Sequence, residues 1–262
     1  MDSHRPKPWR GGRAFLKEYV IIVVGVLTAL GAGQAVETVQ WNQRVDAAEV
    51  RMKRELGVSY MFALERSMLT PCLDRRLIAL KTALLSDTGE WRPLPPMHSP
   101  VLGDKAFLVP SRLYEDQVWK SVQSDGTAAH LTPSRSGLYA RAYSQTAGAA
   151  GSAPAEFIEI ATLNLLNNST ALPLPQRLDL ISRIEQEQVR ANLAGVTSRQ
   201  MMFKIKAVAA IDEAKAEAWV LRISNTYQAC ERLGLLDANA PRSQLAADPT
   251  AAATEYPDVT RH

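Results

Sequence analysis

Residues 19–36 read YVIIVVGVLTALGAGQAV, and this stretch decides the fold because 18 successive positions carry no charge. A helix of that length is about 27 Å long, which matches the hydrocarbon layer of a membrane. Only Thr28 and Gln34 interrupt its apolar surface, whereas a core helix of a soluble protein, the alternative, normally carries a polar stripe. The stretch therefore predicts a transmembrane helix, which we delimit as residues 18–36.

A basic leader precedes this helix and predicts its orientation. Residues 1–18 carry five basic side chains and two acidic ones, so they account for the net charge of +3, and the rest of the chain is balanced. Lys and Arg beside a spanning helix stay in the cytoplasm. We therefore expect a cytoplasmic N-terminus, residues 1–17, in a bacterial inner membrane, with the remainder in the periplasm. Because the exported part has no cationic excess, we expect no nucleic-acid partner.

Four side chains are expected to flank the lipid bilayer: Arg13, Lys17, Tyr19 and Trp41. Aromatic residues at both ends of an apolar run suit the headgroup regions of a membrane. A cleaved signal peptide is the rival interpretation, because small residues at 31–33 and 35 follow the apolar core and resemble a cleavage site. Both interpretations export the C-terminal part of the chain.

Small residues recur every four positions in the membrane helix, at Gly25, Ala29 and Gly33. This spacing places them on one helix face, where a second backbone can approach closely. The pattern predicts helix association, and hence a homodimer or another envelope protein as partner. The alternative is that these residues reflect only the abundance of small side chains in spanning helices.

The pattern beyond Val36 predicts an all-α protein, in which the membrane helix continues as a stalk into a helical domain at 37–237. Apolar residues recur every three or four positions from Val45 to Ala63. Thr70 and Pro71 are typical of a helix start, and the five prolines within 91–110 predict an irregular crossing. Strand patterns are nearly lacking.

Further boundaries follow from helix caps and breakers. Ser111 is expected to cap a helix, residues 148–154 to form a linker, and Pro154 to open the next helix. Helices are also expected to start at Pro173–Pro175 and near Ser198. Residues 238–262 lack an apolar period and predict a disordered tail.

The chain contains two cysteines, Cys72 and Cys230. In an oxidising periplasm, two cysteines far apart in sequence favour a disulfide, and the closed loop would contribute about 4–5 kcal/mol in the chain-entropy model. Two unrelated buried thiols are the alternative. Redox catalysis is disfavoured because the cysteines do not form a C-x-x-C motif.

The sequence carries no motif for a catalytic, cofactor or metal site. Its four histidines are scattered, and the phosphate-binding, dinucleotide-binding and nucleophile-elbow signatures are missing. Trp119 and His130 form a polar-aromatic cluster that lines a cleft in one interpretation. In the other, Trp119 packs in the core and His130 is solvated. We therefore assign no catalytic residue, cofactor or metal.

Residues 15–56, FLKEYVIIVVGVLTALGAGQAVETVQWNQRVDAAEVRMKREL, and residues 71–77, PCLDRRL, carry a family resemblance. The chain resembles uncharacterised single-pass inner-membrane proteins of alphaproteobacteria such as sphingomonads and caulobacters, most clearly over residues 15–80. The resemblance implies a basic start, an anchor and a helical exported region, and it adds no mechanism.

Three functions fit these observations. The first is a membrane-anchored periplasmic interaction or scaffold protein. The second is a ligand-sensing module that signals through a partner, since a leader of about 17 residues is too short for an output domain. The third is an envelope enzyme with an unrecognised site, for which Glu156, Glu159 or the Trp119 region are the candidates.

Overall fold

The computed structural model describes residues 12–86, 90–168, 170–237, 239 and 256–260. Over these residues the protein is mainly helical, which confirms the all-α prediction. The helices are α1 (Gly12–Ser86), α2 (Gln117–Ser124), α3 (Pro133–Leu163), α4 (Leu174–Lys206), α5 (Glu213–Ile223) and α6 (Asn225–Arg232). Two 3₁₀ turns, Thr127–His130 and Asn164–Asn167, follow α2 and α3.

Four short strands form two antiparallel pairs outside the helices. Strand β1 (Glu90–Trp91) pairs with β4 (Thr170–Ala171), with Trp91 opposite Thr170. Strand β2 (Met97–Ser99) pairs with β3 (Gly103–Lys105) as a hairpin. The region rich in proline is otherwise irregular, as its composition predicts.

Helix α1 changes character along its length. It contains an 18-residue window with mean hydropathy 2.0, none of it buried, and is therefore long and apolar enough to cross a membrane. From Val45 onward the same helix is buried, and Met52, Leu56 and Ala63 are fully covered by the rest of the chain. The helix does continue as predicted, but residues 45–63 form the central helix of the domain rather than a free stalk.

The predicted start of a second helix at Thr70–Pro71 is wrong, because α1 runs through it with Pro71 inside. Thr70 lies within the helix, and its hydroxyl donates to the Arg66 carbonyl at 2.8 Å instead of capping. A proline inside a helix costs about 3 kcal/mol. Leu69 and Leu73 on either side are completely buried, so packing against the domain offsets this cost.

The boundaries predicted inside α3 are also wrong. Residues 148–154 are helical, and Pro154 lies within α3 rather than at the start of a helix. Three alanines, at 147, 149 and 150, favour the helical state, and Pro154 is exposed.

The helix starts predicted at Ser111 and near Ser198 are wrong. Ser111 precedes a segment without helix or strand, in which Glu65 holds Arg112 against α1, and the next helix begins only at Gln117. Ser198 lies buried within α4. The start at Pro173–Pro175 is confirmed by α4, which begins at Leu174.

The apolar side chains form two cores along α1. The first surrounds α1 from Val45 to Ala63 and includes Trp119, Tyr143 and Trp219. The second surrounds α1 from Leu69 to Leu84 and includes Trp91 and Tyr227 among other residues. Helix α4 packs along α1 through both cores.

The C-terminal segment departs in part from the predicted disordered tail. Val259 is 1% exposed in the first core, and its carbonyl accepts from the Asp212 backbone at 2.8 Å. Residues 256–260 are therefore packed on the domain. The other predicted tail residues, apart from 239, lie outside the described part of the chain.

Cys72 of α1 and Cys230 of α6 are paired at disulfide-bonding distance, with their Cα atoms 6.1 Å apart. Both side chains are fully buried in the second core. The pair joins the last helix to the central one across 158 residues of chain.

Candidate functional site

A cavity of about 190 Å³ lies where four parts of the chain meet. Helix α1, the segment 110–114, helix α3 and helix α4 all contribute to its wall. We call it the arginine cavity, because three arginines line it: Arg66, Arg112 and Arg190. On α1, Arg66 lies between the two cores, where the apolar packing is interrupted.

Each of these arginines pairs with one glutamate. Arg66 Nη2 donates to Glu156 Oε1 at 2.5 Å. Arg112 donates through Nε and Nη2 to the two oxygens of Glu65, at 2.6 and 3.0 Å. Fork-to-carboxylate pairs of this kind fix a guanidinium in one plane.

The third pair joins Arg190 and Glu187, at 2.5 Å between Nη1 and Oε2. Glu187 is 0% exposed, and its Oε1 has no hydrogen-bond partner among the described residues. Burial, and secondly the nearby charge of Glu156, raise the pKa of Glu187 to about 7. At neutral pH, protonated and ionised forms of this side chain are therefore both populated.

Apolar and aromatic side chains complete the wall. Phe62 and Phe157 line the cavity, and Arg112 lies over the Phe62 ring with its Cζ 5.7 Å from the centroid. Tyr114 also lines it, and burial raises the pKa of this phenol to about 12, so it remains a neutral hydrogen-bonding group. Phe157 is 44% exposed and Leu193 is 63% exposed, so they lie at the mouth.

This set of groups is suited to binding rather than to nucleophilic chemistry. Guanidinium groups donate hydrogen bonds to anions and do not lose a proton at neutral pH. Among the residues that the structure describes, no group of three His, Cys, Asp or Glu side chains could hold a metal ion.

The two glutamates considered for catalysis lie in different places. Glu156 lines the arginine cavity through its pair with Arg66. Glu159 is not part of the wall and pairs with Arg183 at 3.4 Å. The structure thus brings only one of them to a cavity.

The Trp119 region packs as a core element. Trp119 stacks on Tyr143 with ring centroids 5.5 Å apart and is 9% exposed. His130 is exposed and stacks on Trp41 at 3.8 Å. Trp41, which we expect to flank the membrane, therefore contacts the helical domain through His130.

The residues proposed for helix association, and Lys17 and Tyr19 of those proposed to flank the membrane, lie in the exposed part of α1. A Cβ atom added at Gly25 or Gly33 would meet nothing within 4 Å, so this face is open. Tyr19 is 56% exposed, and Lys17 is exposed one half-turn earlier. Arg13 falls in the first turn of α1.

Sequence reasoning missed most of the arginine cavity, although a signal was present. The buried positions of α4 follow a helical period that includes Leu180, Ile184, Glu187 and Ala191. Arg66 likewise continues the apolar register of α1. A charged side chain at a core position needs a partner of opposite charge, so Arg66 and Glu187 indicate a cluster of buried charges.

A second feature is an exposed apolar row on α4, which we call the α4 seam. Its members are Val189 (71% exposed), Leu193 (63%), Val196 (41%) and Phe203 (77%). They are spaced by four, three and seven residues, which is the heptad period of helices that pack against another helix. Exposed Gln200 occupies the remaining position of the repeat.

No family model, curated protein or solved structure matches this chain. Its function is therefore argued from its own residues.

Proposed function

We propose that the protein is a membrane-anchored helical interaction protein that pairs with a second copy of itself through the α4 seam. The observation that carries the proposal is the heptad spacing of Val189, Leu193, Val196 and Phe203 on an exposed helix face. If this apolar face served only the core of the domain, another helix of the same chain would cover it. Left open to solvent, a patch of large apolar side chains marks an interaction site.

The anchor favours a second copy as the partner. Two chains held in one membrane by α1 meet at a high effective concentration, so a short seam suffices for association. Their domains have the same orientation, and a two-fold axis along the membrane normal would bring the same face of each copy together. The small residues Gly25, Ala29 and Gly33 permit close approach of the two anchors on the same axis.

For the location we propose an inner-membrane protein with a cytoplasmic N-terminus and a periplasmic domain. The basic leader and the exposed apolar window of α1 support this orientation. The Cys72–Cys230 pair also supports it, because disulfides persist in the periplasm and are rare in the cytoplasm.

The α4 seam is tested by Phe203→Glu and Val196→Glu in the full chain, crosslinked in membranes. We expect each substitution to reduce dimer yield at least about tenfold, because a buried, unpaired carboxylate costs several kcal/mol. Val101→Glu is the matched control, since Val101 is 73% exposed in the turn between β2 and β3, away from the seam. Equal dimer yields for all three variants and the parent would reject the proposal.

The location is tested separately with reporters fused after His262. A reporter that is active only outside the cytoplasm should give signal, and one that is active only inside should not. The opposite pattern would reverse the orientation and remove the support that the disulfide gives.

A further inference from the structure

We propose that the arginine cavity is a binding site for a small organic carboxylate with a short apolar body. The inference does not rest on pairing through the α4 seam, although Leu193 belongs to both surfaces. It depends on the charge balance of the wall, on the donor capacity of Arg66, and on the shape and polarity of the cavity.

The wall carries more cationic than anionic groups. Arg66, Arg112 and Arg190 line the cavity, whereas Glu156 is the one acidic side chain among the described residues of its wall. The partners of the other two arginines, Glu65 and Glu187, lie behind the wall and are 1% and 0% exposed. A ligand in the cavity therefore meets the guanidinium groups before it meets these two carboxylates.

Arg66 has hydrogen-bonding capacity that the domain does not use. The residue is 6% exposed, and among the described residues its guanidinium donates to Glu156 alone. Its Nε has no acceptor there, but it is buried and out of reach from the cavity. A carboxylate is a strong acceptor for a guanidinium and can bind it through two parallel hydrogen bonds.

The apolar part of the wall selects the rest of the ligand. Phe62, Phe157, Leu193 and Ala194 face the cavity. A cavity of about 150 Å³ admits a molecule the size of benzene, so the space here accommodates a carboxylate with a ring or a short chain. Glu156 opposes a second negative charge, which favours a monocarboxylate over phosphate or a dicarboxylate.

The site has an open route to solvent. Phe157 and Leu193 are 44% and 63% exposed, so the mouth is apolar, while the arginines lie deeper. A ligand would thus enter with its charged end inward and leave its apolar body between the two side chains.

The test uses the full chain in detergent or nanodiscs and calorimetric titration with benzoate. We expect saturable binding with a Kd of about 1 mM or tighter. Benzyl alcohol matches benzoate in size without the charge and should bind at least about tenfold more weakly. Benzylamine, a cation, and inorganic phosphate should bind more weakly still.

Two variants test whether benzoate binds in the cavity, and neither of them removes a charged side chain. Ala194→Leu fills the cavity, and we expect it to weaken benzoate binding at least about tenfold. Ala140→Leu adds the same atoms at an exposed position of α3 and should leave binding unchanged. Unfolding curves without ligand show whether both variants are folded.

Several outcomes of the binding experiments would overturn the inference. Equal binding of benzyl alcohol and benzoate would show an apolar hole, and preferential binding of benzylamine would show that Glu156 dominates the wall. Tight phosphate binding would show an inorganic anion site. Benzoate binding that survives Ala194→Leu would place the ligand elsewhere, and no saturable binding would remove the site.

The result for the proposed function is read separately. If the parent protein forms no dimer but still binds benzoate, only the proposed function is rejected.

Discussion

Glu187 has a carboxyl group whose surroundings disfavour its ionised form. It occupies a core position of α4, and its environment consists of Arg190, on the same helix, and the charges of Arg66 and Glu156 from α1 and α3. Burial disfavours the ionised form of a carboxyl group, and the attraction of Arg190 compensates only in part. The raised pKa of Glu187 is the direct consequence.

This raised pKa makes stability depend on pH in a defined direction. The folded protein holds a proton on Glu187 up to about pH 7, whereas the unfolded chain releases it near 4.5. The contribution of Glu187 to the free energy of unfolding should therefore be largest below 4.5 and decrease as the pH rises to about 7. Glu187→Gln mimics the protonated form and should remove this decrease, gaining roughly 1–3 kcal/mol at pH 8. Chemical denaturation at several pH values measures both.

Glu185→Gln provides the control for this prediction. Glu185 lies on the same helix but is 61% exposed at its side chain, and it pairs with Lys81 at 3.6 Å. Its substitution should change stability by less than about 1 kcal/mol, because exposed ion pairs contribute little. A parallel pH profile for the parent and Glu187→Gln would show that Glu187 titrates normally.

At the scale of elements, the packing of α4 on α1 depends on one close approach. A Cβ atom added at Gly195 would overlap the Thr70 side chain, lying 2.9 Å from Cγ2. Gly195→Ala should therefore destabilise the domain by about 1–3 kcal/mol, although alanine is the better helix former. The measurement is the free energy of unfolding by denaturant.

The matched control for this position is Gly151→Ala in α3. A Cβ atom there would meet nothing within 4 Å, so only the gain in helix propensity remains. This variant should be stabilised by about 0.5–1 kcal/mol. If Gly195→Ala were stabilised by the same amount, α1 and α4 would not be in the close contact described above.

The elements also show where reading the sequence fails. The sequence predicts helix starts at Pro71 and Pro154 because a proline is favourable at the first position of a helix. Inside α1 and α3, each removes one hydrogen bond, and tertiary packing or alanine-rich neighbours keep the helix continuous. Local preference predicted that helices exist, but it could not weigh one lost hydrogen bond against contacts between distant residues.

At the scale of the whole molecule, the long apolar N-terminal helix and the helical class are predictable because each follows from a local pattern of apolar residues. The arginine cavity was not, because Arg66, Arg112 and Arg190 lie on three separate segments and meet only in the folded chain. Leu193 belongs both to the cavity mouth and to the α4 seam. Pairing of two copies would therefore cover the mouth of each cavity.

Charge on the two sides of the α4 seam distinguishes a parallel arrangement of two copies from an antiparallel one. In a parallel pair, Arg199 of one helix would lie beside Lys204 of the other, because they flank the seam five residues apart. This contact is repulsive and occurs twice by symmetry.

Lys204→Glu should convert both contacts to attractive ones and strengthen dimerisation about threefold to tenfold, measured by titrating protein against lipid in vesicles. Arg141→Glu makes the same charge change at an exposed position of α3 and should have no effect. Weaker dimerisation of Lys204→Glu would contradict parallel packing, which is the only arrangement compatible with two copies anchored side by side in one membrane.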